Sequence, residues 1–109
     1  MKRNYLIGLT VLLVLDVGAQ PAELPSAARQ AELIRLVRQD CGSCHGMTLK
    51  GGLGSPLLPE SLRDKPSSSL VATVLYGRPD TAMPAWNSVL SESDAEWIVA
   101  RLIAGFPHE

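Results

Sequence analysis

The sequence of 109 residues is short of the side chains that several kinds of functional site require. It has only two cysteines and two histidines, and one histidine directly follows a cysteine, so the ligands of an ordinary four-ligand zinc finger are not present at a suitable spacing. It has no basic tract and a net charge of −1, which argues against nucleic acid as a partner. No segment alternates convincingly between apolar and polar residues, so the chain is not expected to form a sheet.

A short apolar run near the N-terminus predicts export. Lys2 and Arg3 precede an almost wholly apolar stretch at 5–15, and small residues follow it. This stretch is well short of the ~20 apolar residues that span a bilayer, so a cleaved signal peptide at 1–19 is favoured over a retained membrane anchor. Residues 20–109 then form one small domain in the periplasm, with no stable membrane span after cleavage.

The mature chain is predicted to be all-α, with three main helices joined by long loops. The first helix covers Ala27–Gln39 and runs directly into the cysteines, and the second covers Ser67–Tyr76, with Gly77 as its stop. Ser91 caps the third helix, which ends at Gly105. Loops of this length in so small a domain need something to pack on, and a buried cofactor would be sufficient.

Cys41, Cys44 and His45 form the most informative motif, a Cys-x-x-Cys-His run. Two thiols at this spacing can add to the two vinyl groups of a haem, and the histidine that follows can put an imidazole nitrogen on the iron. The motif therefore predicts one covalently attached haem c. Three other interpretations remain open: a thioredoxin-like redox pair, a zinc site and a structural disulfide.

His45 would occupy one face of the iron, so the opposite face needs a second ligand. Met47 lies too near His45 in sequence to wrap to the other face, and His108 lies at the C-terminus, where no rigid element would hold it. Met83 lies in the loop between the second and third helices, stiffened by Pro84, and is the predicted ligand. With both axial positions filled by the protein, no position is left for a substrate, which indicates an electron carrier rather than an enzyme.

Taken together, these residues resemble the class I cytochromes c over essentially the whole mature chain. The shared order is helix, Cys-x-x-Cys-His, Gly/Pro loop, helix, Met-Pro loop, helix. The resemblance implies the cytochrome c fold, with long loops wrapped around one covalently bound haem. In that family a proline carbonyl in the first loop accepts a hydrogen bond from the ligating imidazole, and Pro56 is the apparent equivalent here.

The run Met83–Trp86, followed by Leu90 and Ser91, is similar to small bacterial cytochromes of the c55x type, which are encoded beside cytochrome cd1 nitrite reductase. That resemblance implies denitrification, with this reductase as electron acceptor and a quinol-oxidising complex as donor. Two alternatives remain open. One is a haem-containing sensor or assembly factor that helps a neighbouring reductase to mature. The other is an enzyme in which Met83 is absent from the iron.

Two further expectations concern packing and stability. The family often has an aromatic residue before a leucine of the last helix, where this chain has Arg101. Trp97 lies one turn earlier and either packs on the domain or is exposed, with packing favoured for so large an aromatic side chain. Since a domain of about 90 residues has a thin core, the haem-free protein is expected to be poorly folded.

Overall fold

The computed structural model describes residues 11–13, 18 and 23–107. All the regular structure in these residues is helical, in the order α1 (Ala27–Leu36), a π-helical turn (Val37–Cys41), α2 (Gly42–His45), α3 (Pro59–Leu62), α4 (Ser67–Tyr76) and α5 (Glu92–Ala104). Within the same residues, no helix is long and apolar enough to cross a membrane. Most of the predicted signal peptide, and His108, lie outside the described part of the chain.

The first helical stretch is longer than predicted, and its pitch changes before the cysteines. Ser26 Oγ accepts a hydrogen bond from the backbone N–H of Arg29 at 3.2 Å and caps α1. At Val37 the chain passes into the π-helical turn, and α2 then continues to the end of the Cys-x-x-Cys-His motif. A π turn inserts an extra residue into the helical ladder, so a search for a regular helical period does not predict it.

The bounds predicted for the two later main helices are confirmed, and these helices pack against each other. α5 starts with a full capping box: Ser91 Oγ accepts from the N–H of Asp94 at 3.1 Å, and the Asp94 carboxylate accepts from the N–H of Ser91 at 3.1 Å. Gly77 ends α4 with a φ of +72°. The core is built by buried side chains of all three main helices and the segment after α5, including Leu33, Val37, Leu75, Ala95, Ile98, Leu102 and Phe106.

An ion pair joins the first turns of α1 and α5. Nη2 of Arg29 lies 2.8 Å from Oδ2 of Asp94 and also donates to the carbonyl of Val89 at 2.9 Å, while Nη1 donates to Glu32 at 2.9 Å. Hydrogen bonding to Arg29 holds the pKa of the buried Asp94 carboxyl below its usual range. One arginine therefore connects the start of the first main helix to the cap of the last.

α3 interrupts the first long loop. Pro59 is its first residue, where the missing N–H of proline costs no helical hydrogen bond. Leu62, at its end, is buried in the core, and α3 contacts α5. This short helix gives the loop a fixed anchor point after it has passed the histidine of the motif.

Trp97 is half-buried and packs against the core, as the packing interpretation expects. The guanidinium of Arg101 lies over its ring, 5.8 Å from the centroid. The exposed arginine thus covers the outer part of the aromatic ring by a cation–π contact, at the position where the family often has an aromatic residue.

Candidate haem-binding site

The two cysteines are free thiols held on one helical stretch. Cys41 ends the π-helical turn and is half-buried, whereas Cys44 lies in α2 and is exposed. Burial, with a smaller contribution from the Asp40 carboxylate, raises the pKa of the Cys41 thiol to about 11. A Cys-x-x-Cys redox pair has a reactive thiol of lowered pKa instead. The thioredoxin-like interpretation also requires a βαβ frame, and the described residues contain no strand.

His45 is oriented by a backbone carbonyl of the first loop. Its Nδ1 lies 2.7 Å from the carbonyl oxygen of Ser55. A carbonyl oxygen can only accept, so Nδ1 carries the hydrogen and donates it. In the neutral imidazole, Nε2 then keeps its lone pair free, which is the form that binds a metal.

The expectation that the Pro56 carbonyl is the acceptor is wrong, since the acceptor belongs to the preceding residue, Ser55. The reason is the path of the loop. The backbone at Gly54 lies next to the imidazole, whereas the ring of Pro56 lies next to Gly51. The carbonyl that meets Nδ1 is therefore the one on the N-terminal side of the proline.

The first loop makes a close-fitting cradle for the histidine. A Cβ added at Gly54 would lie 2.7 Å from Nδ1 of His45, closer than any side chain tolerates. The N–H of Gly54 donates to the carbonyl of Cys44 at 2.8 Å, and the N–H of Gly51 donates to that of His45 at 2.8 Å. The loop is thus bonded to the backbone of the motif itself. It leaves room for the imidazole ring because Gly54 has no side chain.

Met83 is half-buried in the loop between α4 and α5, and its backbone is bonded on both sides. Its carbonyl accepts from the N–H of Arg78 at 3.2 Å, and its N–H donates to Oγ1 of Thr81 at 3.2 Å. A Cβ at Gly77 would lie 2.7 Å from the Met83 carbonyl oxygen, so the loop packs directly on the end of α4. The loop that carries this thioether is therefore fixed to a helix of the core.

The remaining ligand candidates are less well placed. Met47 is 66% exposed, and His108 lies outside the described residues. The described part of the chain contains no cluster of three or more Cys, His, Asp or Glu side chains that could hold a metal ion. Sequence reasoning missed Ser55 and Gly54. Their only signal was the Gly-Ser-Pro order, because a residue before proline favours an extended backbone.

The chain is similar to known c-type cytochromes. Residues 28–100 match the family model described as cytochrome C oxidase, cbb3-type, subunit III. The chain is 64% identical over 83 residues to cytochrome c55X of Pseudomonas aeruginosa, and this match covers 76% of this chain and 70% of that protein. It is 38% identical over 104 residues to the dihydro-heme d1 dehydrogenase of the same organism, which covers 95% of this chain and 20% of that protein. A solved structure described as c-type cytochrome NirC is similar with a TM-score of 0.74 and 62% identity, covering 75% of this chain and 96% of that chain.

These findings confirm the cytochrome c fold and the covalently attached haem c. Two free thiols on one helical stretch, an imidazole whose Nδ1 is bonded to a backbone carbonyl, and a glycine cradle fit that group. The cytochrome c55X and NirC relatives are named as cytochromes, and this confirms an electron carrier rather than an enzyme. The chain belongs to the family of the cbb3-type subunit III model and, within it, to the small monohaem c-type cytochromes of the c55X type.

Proposed function

We propose that this protein carries single electrons in the periplasm, with His45 and Met83 as the two axial ligands of its haem iron. The observation that carries the proposal is the 2.7 Å contact between Nδ1 of His45 and the carbonyl of Ser55. It fixes the tautomer and the ring orientation and leaves Nε2 for the metal. The covalent bonds through Cys41 and Cys44 keep the cofactor attached when the protein leaves one partner for another.

The second ligand is assigned to Met83 on three grounds. It is a methionine in a loop between two core helices, its backbone is bonded on both sides, and its side chain is partly withdrawn from solvent. A thioether is a soft ligand that favours ferrous iron and so raises the reduction potential. The haem supplies a site that takes up and releases one electron. The protein side chains hold it in one geometry, so little has to move during transfer.

Optical spectroscopy of the exported holoprotein tests this ligation. The expected result is a sharp reduced α-band of low-spin haem c, together with the weak far-red band of sulfur-bound ferric haem in the oxidised form. A c-type spectrum without the far-red band would remove Met83 from the iron. Carbon monoxide binding to the reduced form at neutral pH would likewise show that Met83 is not bound to the iron.

The proposed electron acceptor is cytochrome cd1 nitrite reductase, and the proposed donor is a quinol-oxidising complex. The similarity to cytochrome c55X and to NirC supports a role in denitrification. The test is stopped-flow mixing of the reduced holoprotein with oxidised reductase, followed at the α-band. Bimolecular oxidation whose rate rises with reductase concentration is expected. Oxidation no faster than with a reductase-free buffer would contradict this assignment.

Export is part of the proposal, with a signal peptide at 1–19 and a cytochrome domain at 20–109. The basic start, the short apolar run and the small residues that follow support it. Mass spectrometry of the protein released from the periplasm should give a chain that begins at Gln20 and carries one haem. A protein that is retained with its N-terminal segment intact would contradict it.

A second candidate is an assembly factor that helps a neighbouring reductase to mature. It is favoured by the 38% identity to a dihydro-heme d1 dehydrogenase over nearly all of this chain. This role predicts a labile bond from Met83 to the iron and slow electron transfer to the reductase. It also predicts that cells lacking the protein contain reductase without its full cofactor, whereas loss of a pure electron carrier leaves the reductase complete.

A further inference from the structure

A small cavity lies between the π-helical turn, the first loop and the segment after α5, and the residues of the Cys-x-x-Cys-His motif do not line it. Its volume is about 150 Å³. One wall is Arg38, which projects from the π-helical turn, and Thr48 adds a hydroxyl. The rest of the wall is apolar or backbone: Leu49, Leu57, Leu58, Pro59, Gly105 and Phe106.

Arg38 is held firmly in this wall. Its Nη2 donates to the carbonyl of Pro107, and its guanidinium carbon lies 5.3 Å from the centroid of the Phe106 ring. Its Nε is buried and has no hydrogen-bond partner among the described residues. A guanidinium held on two sides, whose Nε–H has no partner among the described residues, can still donate hydrogen bonds to a ligand.

The charge of Arg38 also lacks a counterion among the described residues, where the ion pairs involve Arg29 alone. A partly buried guanidinium bound only to a carbonyl and an aromatic face remains a net positive charge in an apolar wall. Partial withdrawal of such a charge from water is unfavourable, and an anion beside it would offset that cost. An ordered water would satisfy the Nε hydrogen bond but would leave the charge unbalanced.

We propose that this cavity binds a small oxoanion or carboxylate, with Arg38 as its charged donor and Thr48 as a second donor. The volume admits an ion of the size of nitrate or acetate together with some water. The apolar walls place the ligand beside the first loop. Ser55, whose carbonyl accepts a hydrogen bond from His45, belongs to the same loop. A bound anion would therefore also stabilise the loop that orients the histidine.

The test is a nuclear magnetic resonance titration of the reduced holoprotein with sodium acetate and with sodium nitrate, at constant ionic strength held with sodium fluoride. Saturable shifts are expected for the Arg38 Nε–H and for the amides of Thr48, Leu49 and Phe106. In Arg38→Gln the affinity should fall at least tenfold. Arg38→Lys should recover only part of it, because lysine restores the charge without the planar fork.

Thr48→Val provides a variant in which folding is not at risk, since Thr48 is exposed and forms no hydrogen bond among the described residues. It should weaken acetate binding severalfold with an unchanged haem spectrum. Shifts that rise linearly without saturation, or that are the same in Arg38→Gln, would overturn the proposal. Glu109 lies two positions after Pro107 in the sequence. Anion binding that is seen only in Glu109→Gln would also overturn the proposal, because the natural counterion of Arg38 would then be the chain's own carboxylate.

Discussion

At the residue scale, the orientation of His45 depends on a neighbour that has no side chain. A Cβ at Gly54 would lie 2.7 Å from Nδ1 and 2.8 Å from Cε1 of the imidazole. Ring and loop cannot both stay in place, so we expect Gly54→Ala to break the hydrogen bond to Ser55. The free energy of unfolding of the holoprotein should fall by about 1–3 kcal/mol, measured by chemical denaturation followed at the haem absorbance.

Gly42→Ala is the matched control for this prediction. Gly42 lies between the two cysteines, is buried and has a right-handed helical backbone with φ −60°. The atoms nearest to an added Cβ are 3.6 Å away, which is ordinary contact. Stability should therefore stay the same or rise slightly, because alanine favours helix over glycine. Equal losses in the two variants would show that any added methyl group near the motif is harmful.

A second prediction at this scale separates two methionines. We expect Met83→Ala to abolish the far-red band of the oxidised protein and to open the iron to carbon monoxide. The reduction potential should fall by about 0.1 V or more, within the range of ~0.8 V that axial ligands span. Met47→Ala is the control, because Met47 is largely exposed and close to the motif in sequence. Spectra and potentiometric titration of both variants decide the assignment, and a changed band in Met47→Ala alone would reverse it.

At the scale of helices and loops, the ion pair of Arg29 with the α5 cap predicts which carboxylate stabilises the fold. Asp94→Asn should lower the free energy of unfolding at pH 7 by about 1–3 kcal/mol, because the half-exposed Arg29 guanidinium loses its charged partner, the buried Asp94 carboxylate. Glu96→Gln in the same helix is exposed and makes no hydrogen bond among the described residues, so it should change little. Urea denaturation of both variants measures the difference. Equal effects of the two substitutions would assign the loss of stability to net charge rather than to the ion pair of Asp94 with Arg29.

The pH dependence of the stability that the Arg29–Asp94 ion pair contributes follows from the lowered pKa of Asp94. A carboxyl group with a lowered folded pKa contributes stability that is complete above its unfolded pKa of about 4. This contribution is lost as the pH falls through the lower, folded pKa. The gap in unfolding free energy between wild type and Asp94→Asn should thus be constant near neutrality and shrink below about pH 4. A gap that persists unchanged in acid would assign the effect to packing.

The elements also show why sequence reasoning succeeded in one place and failed in another. α4 and α5 were predictable because their apolar faces and glycine stops, and the capping box of α5, depend on residues a few positions apart. The choice of Ser55 over Pro56 depends on how a loop lies against a ring ten residues away in sequence. No pattern of neighbouring residues in the sequence predicts this contact between the loop and the ring. The covalent haem was predictable because its chemistry needs three residues within five positions.

At the scale of the whole molecule, the core is small for the loops that it must order. α5 supplies the largest share of the buried apolar residues, α1 supplies Leu33 alone, and several partly buried apolar side chains only border them. We expect the double variant Cys41→Ala/Cys44→Ala, isolated without haem, to melt with little cooperativity by circular dichroism, while the holoprotein melts in one sharp transition. Equal cooperativity of the two forms would show that the polypeptide alone suffices.

The ion pair between Arg29 and Asp94 also has a consequence for the order of haem attachment and folding during biogenesis. Its partners are 65 positions apart, and the bond from Arg38 to Pro107 spans 69. In a chain that emerges from its N-terminus, the motif comes out long before the last helix that closes over the first. Until that helix is available, the segment that carries the two thiols lacks these long-range contacts. Loop-closure entropy makes such distant contacts late ones. A haem can therefore be attached to the thiols before the last helix packs against the first.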